Sequence, residues 1–183
     1  MPFCLALLLA ASSAGSIQVP RDSGLYYLTP QGLVRIEGRA VTVERSHRKV
    51  PFSGKIPLAG GNPVSAEILG AHAARQVTST PVFFYRTPAG QESTGAGDLV
   101  LVKLRSRSKR REFTISSEPG WNASAGIPLR AQVLFNAQRV ESGVFRLEPA
   151  DDLGPGEYGL YLFRGRDLPG FLYDFSVPTG EKP

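Results

Sequence analysis

An all-β fold is predicted for this chain by three observations. Apolar residues recur in short runs, several of them alternating with polar ones at the period of a strand. Gly (20) and Pro (15) are spread between those runs without a period of their own and mark turns. No stretch sustains a helical period long enough to compete. With 183 residues, 42% of them hydrophobic, the chain can bury one ordinary core, so a single folded domain is expected.

Residues 1–16 stand apart. Phe3 to Ala11 is continuously apolar, and Ser12 to Ser16 is small and largely polar. That is the pattern of a secretory signal peptide. Cleavage after Ala14 or after Ser16 satisfies the small-residue rule. The run is too short to cross a bilayer, which takes about 20 apolar residues, so no transmembrane segment is expected in the mature chain. No Lys or Arg precedes the run. This leaves open a start upstream of Met1, and the competing reading of a buried N-terminal strand or short helix. Cys4, the one cysteine, lies inside the run, so the mature protein would have no disulfide. It comes too early to carry a lipid.

The mature chain is expected to open with a hairpin, Gly24 to Thr29 and Leu33 to Glu37 around Pro30-Gln31-Gly32. A third run, Ala40 to Arg45, places Val41 and Val43 on one face and completes a small meander over 17–45. Six Pro and Gly residues break up 46–63, leaving room for one short edge strand near Val50 to Phe52. Val64 to Leu69 is read as a strand, with Gly70 weighing against a helix over Ala66 to Arg75. Pro81 to Arg86 is a strand, and Thr87 to Gly97 is rich in turn residues.

Leu99 to Arg105 and Arg111 to Ser116 make the strongest hairpin, with Ser106 to Arg110 as its turn. Alternation puts Val100, Val102 and Leu104 on the core face with Phe113 and Ile115, and Leu101, Lys103 and Arg105 on the other. Later runs are Leu129 to Phe135, Val144 to Leu147, Tyr158 to Phe163 and Phe171 to Val177. About eleven short strands indicate a sandwich or barrel. No internal repeat is claimed.

Charge and chemistry narrow the function classes. Net charge is +5 with a pI near 9.6. The excess lies between Arg35 and Arg130, while the stretch from Glu148 onward is acidic. His47 and His72 are the only histidines and sit in a basic loop and a turn, with no Gly-x-Ser-x-Gly elbow beside them. They are read as surface residues. A zinc site lacks cysteines and a His-x-x-x-His pair. Asp151, Asp152 and Asp174 lack the alternating spacing of a calcium loop, and the first two are read as solvated turn residues. Gly95-Ala96-Gly97 is too short for a phosphate loop. No cofactor is expected. Two carboxylates suffice for glycoside hydrolysis, but nothing singles out a pair.

Lys103, Arg105, Arg107, Lys109, Arg110 and Arg111 crowd into nine positions at the hairpin tip. They are the candidate ligand-binding residues, a patch able to grip sulfate, phosphate or carboxylate groups. The competing reading is a solvated hairpin whose like charges discourage edge aggregation. Without interleaved aromatics the patch is a weak binding signal, and nucleic acid is not an expected target for an exported protein. Trp121 is read as core rather than as a sugar-stacking residue, and Asn122-Ala123-Ser124 as incidental.

Asp152-Leu153-Gly154-Pro155-Gly156-Glu157-Tyr158, a tight turn and then a Tyr opening an apolar strand, resembles the tyrosine corner of immunoglobulin-like sandwiches. The resemblance implies that the Tyr158 hydroxyl returns to backbone a few residues upstream. More broadly, Gly24 to Tyr27, Lys109 to Phe113 and Leu153-x-Pro-Gly-Glu-Tyr158 resemble a group of uncharacterised exported bacterial proteins. That group implies no activity and no catalytic residues.

The expected architecture is therefore a signal peptide at 1–16 and one all-β domain over 17–183. That domain comprises the meander at 17–45 and an Ig-like β-sandwich over 64–177. The expected role is a non-catalytic exported interaction or structural module, periplasmic or extracellular. Its partner is an anionic envelope or extracellular polymer, or another protein, and not nucleic acid. The alternatives are a carboxylate-dependent hydrolase of such polymers, and a subunit that completes a partner's sheet through an open edge strand.

Overall fold

The computed structural model describes residues 17–45, 64–91, 96–116, 127–162 and 170–180. The expected signal peptide at 1–16, His47, the expected short strand near 50–52, Gly95 and the segment with Trp121 and Asn122 lie outside the described residues.

The chain is nearly all β. Its first strands are β1 (Gly24–Thr29), β2 (Gly32–Ile36), β3 (Gly38–Ala40), β4 (Thr42–Arg45), β5 (Val64–Leu69) and β6 (Phe83–Arg86). They are followed by β7 (Leu99–Ser106), β8 (Arg110–Ser116), β9 (Gln132–Val133), β10 (Phe135–Glu141), β11 (Val144–Pro149), β12 (Gly156–Leu162) and β13 (Phe171–Val177). Single 3₁₀ turns at Ala96–Asp98 and Leu129–Ala131 lead into β7 and β9. One sheet runs β10-β11-β6-β1-β2; the other runs β3-β13-β12-β7-β8-β5-β4, with β9 paired to β7 off that path. All the strand pairings are antiparallel.

Alternation explains which side chains meet between the sheets. Leu25 and Tyr27 of β1, Phe83 and Tyr85 of β6, and Phe145 and Leu147 of β11 point to one face. Leu99, Leu101, Tyr158, Leu160, Phe175 and Val177 meet them from the second sheet. Phe83 and Phe175 are centred 4.9 Å apart, and Tyr158 stacks on Phe175 at 5.9 Å.

A second core lies on the far side of β7, β12 and β13. Val102, Leu104, Tyr161 and Leu172 pack there against Ala66, Ile68, Phe113 and Ile115. The β4-β5-β8 portion of the second sheet thus folds back over its own outer face. Gly159 makes this packing close, because a Cβ there would sit 2.6 Å from Leu172 Cδ1.

Several expectations are corrected. The third run does not extend the β1–β2 hairpin: β3 pairs with β13 and β4 with β5, so the meander at 17–45 feeds both sheets. Val41 is buried between β3 and β4, whereas Val43 is about half-exposed. β7 has no single core face: Leu99 and Leu101 enter the first core, Val102 and Leu104 the second. Phe113 and Ile115 do join Val102 and Leu104. The run from Leu129 is a 3₁₀ turn and a two-residue strand, and the polar strand β10 follows where none was expected.

The Tyr158 hydroxyl donates to Gly154 O at 2.8 Å, four residues upstream. Tyr26 repeats the device, donating to Asp22 O at 2.8 Å. Two residues before each tyrosine stands a glycine with φ near +150°, Gly24 (+148°) and Gly156 (+152°), a backbone that side chains resist.

Candidate functional site

The site grows from one irregularity in the ladder of β7. On one side β7 pairs with β12 from Leu99 to Leu104. On the other it pairs with β8 only at Arg105 and Ser106, and with β9 at Leu101 and Val102. Between these partners, Lys103 and Leu104 have no ladder neighbour on that side among the described residues. β8 has peeled away to cover the second core, because Phe113 and Ile115 are apolar on that face. A cleft of about 520 Å³ lies at this fork.

Lys103, Arg105, Arg107, Arg110, Glu67 and Glu112 line the cleft. Period 2 accounts for the set. Lys103 and Arg105 alternate with Val102 and Leu104, while Arg110 and Glu112 alternate with Arg111 and Phe113. Glu67 and Glu112 stand opposite each other on β5 and β8. Each is engaged by an arginine: Arg107 reaches Glu112 at 2.9 Å, and Arg110 reaches Glu67 at 3.1 Å. Lys103 Nζ sits 5.4 Å from the centre of the Tyr158 ring. Arg105 is exposed and has no carboxylate partner among the described residues. The cleft therefore holds four cations against two carboxylates.

Lys109 is exposed at the turn, outside the cleft lining, and its carbonyl accepts from Gly70 N at 2.9 Å. Arg111 is a correction to the expected patch. It is fully buried and faces away from the tip. Its Nη1 lies 3.1 Å from Glu157 Oε2 and 2.8 Å from Asp174 Oδ2, and its Nε donates to Gly70 O at 3.0 Å. Glu157 also accepts from Ala73 N at 2.8 Å and lies 3.2 Å from His72 Nδ1. Arg39 Nε stands 3.5 Å from the other oxygen of Asp174 and its Nη1 donates to Leu69 O at 3.3 Å. Asp174, weighed in the sequence as a calcium ligand, thus faces two arginines. This cluster ties β8 and the 69–73 backbone to β12 and β13. It is structural scaffolding under the cleft, and its parity with Phe113 was the sequence signal for it.

His72 is exposed, as a surface histidine should be, and Asp151 and Asp152 are exposed in their turn. No helix among the described residues is long and apolar enough to cross a membrane. Compared with known proteins, the chain matches no family model, and no curated protein or solved structure matches it significantly.

Proposed function

We propose that this chain is an exported, non-catalytic binding module with an Ig-like β-sandwich, and that it holds an anionic envelope or extracellular polymer in the cleft beside β7. The Tyr158 corner supports the Ig-like part of this reading. The observation that carries the binding part is the charge of the cleft. Lys103, Arg105, Arg107 and Arg110 converge on one concave surface, and the two carboxylates present pair with only two of them. Arginine forks suit carboxylate or sulfate groups.

The test is binding of the purified protein to polygalacturonate and to neutral dextran, at low and moderate salt. A parallel variant carries Lys103→Ser, Arg105→Ser, Arg107→Ser and Arg110→Ser. Salt-sensitive binding to the acidic polymer alone, lost in the variant, supports the reading. Equal binding of wild type and variant would sink it.

The hydrolase reading draws on one observation, the opposition of Glu67 and Glu112. Against it, both carboxylates are already engaged by arginines. New reducing ends in polygalacturonate, absent with Glu67→Gln, would favour it.

A further inference from the structure

The cleft at the fork does not end there. Glu67 and Arg110 also line a second cleft of about 440 Å³, which continues to Arg39, Thr42 and Leu69. Lys103 also lines a third, of about 390 Å³, which continues to His72, Gln76 and Thr179. The three share these lining residues across β4, β5, β8, β7 and β12, neighbours in one sheet.

The chemistry along this path is mixed. Cations alternate with Glu67 and Glu112, and hydroxyls of Ser65, Thr114 and Ser106 border them. A polymer carrying only acceptor anions would meet the arginines well and the carboxylates badly. A polymer carrying both carboxylates and hydroxyl donors satisfies both. At one end stands Leu69, an apolar side chain 82% exposed. The CH face of a sugar ring would cover it; a phosphate chain would not.

Resting on the binding reading above, we infer that the joined clefts form one extended site for a linear acidic polysaccharide of the uronate class, with Leu69 and Gln76 at its two ends. A chain of several sugars fills the site, and a single anion occupies only its centre.

Titrations of the full protein with oligogalacturonates of two, four and eight units, and with inorganic polyphosphate of matched charge, test this. Affinity should rise at least ~10-fold from the shortest to the longest sugar, and polyphosphate should bind more weakly than the eight-unit sugar. Leu69→Ser and Gln76→Ala should each weaken the eight-unit ligand about 3-fold or more and leave the two-unit ligand unchanged. Equal affinity at all lengths would overturn the extended site and leave the basic cleft standing as an anion pocket. Polyphosphate binding as tightly as the sugar would overturn the uronate assignment. No binding by any probe would overturn both this inference and the binding reading beneath it.

Discussion

The guanidinium of Arg111 lies 2.8 Å from the carboxylate of Asp174, with both side chains closed off from solvent. One Arg111 nitrogen, Nη2, is buried with no hydrogen-bond partner among the described residues, so the pair is not an ideal salt bridge. Such pairs contribute little net stability over an apolar replacement, yet breaking one side strands a charge. Arg111→Met is therefore expected to cost about 3–5 kcal/mol. The lower end applies, because Asp174 keeps Arg39 and Glu157 keeps Ala73 N–H. Combining it with Glu157→Gln and Asp174→Asn should recover most of the loss. Urea unfolding of the single and triple variants measures both; a triple variant as weak as the single would contradict the stranded-charge account.

The two tyrosine corners give an additive test. Tyr158→Phe removes a bond to Gly154 O, and Tyr26→Phe one to Asp22 O. Each should cost about 1 kcal/mol, and the double variant should cost their sum, because the corners lie in different sheets. Gly156→Ala should cost about 1–3 kcal/mol through backbone strain, since φ there is +152°. A Gly156→Ala protein as stable as wild type would mean that the backbone relaxes there.

Strands whose side chains sort into apolar and polar faces were legible in the sequence, and so was the corner at Tyr158. Four features were not. β10 exposes nearly all its side chains and is held by backbone pairing to β11, so it left no apolar signal. The partners of β3 and β4 are β13 and β5, and long-range register is set by tertiary packing that a local pattern does not encode. Arg111 was hidden by its neighbours. In a run of cations it read as one more tip residue, although it shares a face with Phe113 and Ile115. The fork between β8 and β9, which opens the cleft, depends on the same distant contacts.

Gly159 shows how tightly the second core is built. An added Cβ would meet Leu172 Cδ1 at 2.6 Å and Cγ at 2.8 Å, and Leu172 is fully buried. Gly159→Ala should cost about 1–3 kcal/mol by overpacking. Adding Leu172→Ala to Gly159→Ala should cost less than Leu172→Ala alone, because the new methyl fills part of the cavity. A strictly additive double variant, in thermal or urea melts, would show that the two side chains do not compete for the same space.

Tyr161 makes stability depend on alkaline pH. It packs against Phe113 in the second core, with ring centres 5.2 Å apart. Burial pushes its hydroxyl above the ordinary tyrosine value, and a hydrogen bond with the Gly170 backbone only partly offsets this. The fold thus favours the neutral phenol. Its contribution is whole below the unfolded value of 10.0 and falls as pH climbs from there through the higher folded value. Tyr161→Phe cannot ionise, so the decline in stability above pH 10 should be shallower in that variant. At neutral pH the variant should lose about 1 kcal/mol with the Gly170 bond. Urea midpoints of both proteins from pH 8 to 11 measure this, and parallel curves across the alkaline range would show that Tyr161 is not the group responsible.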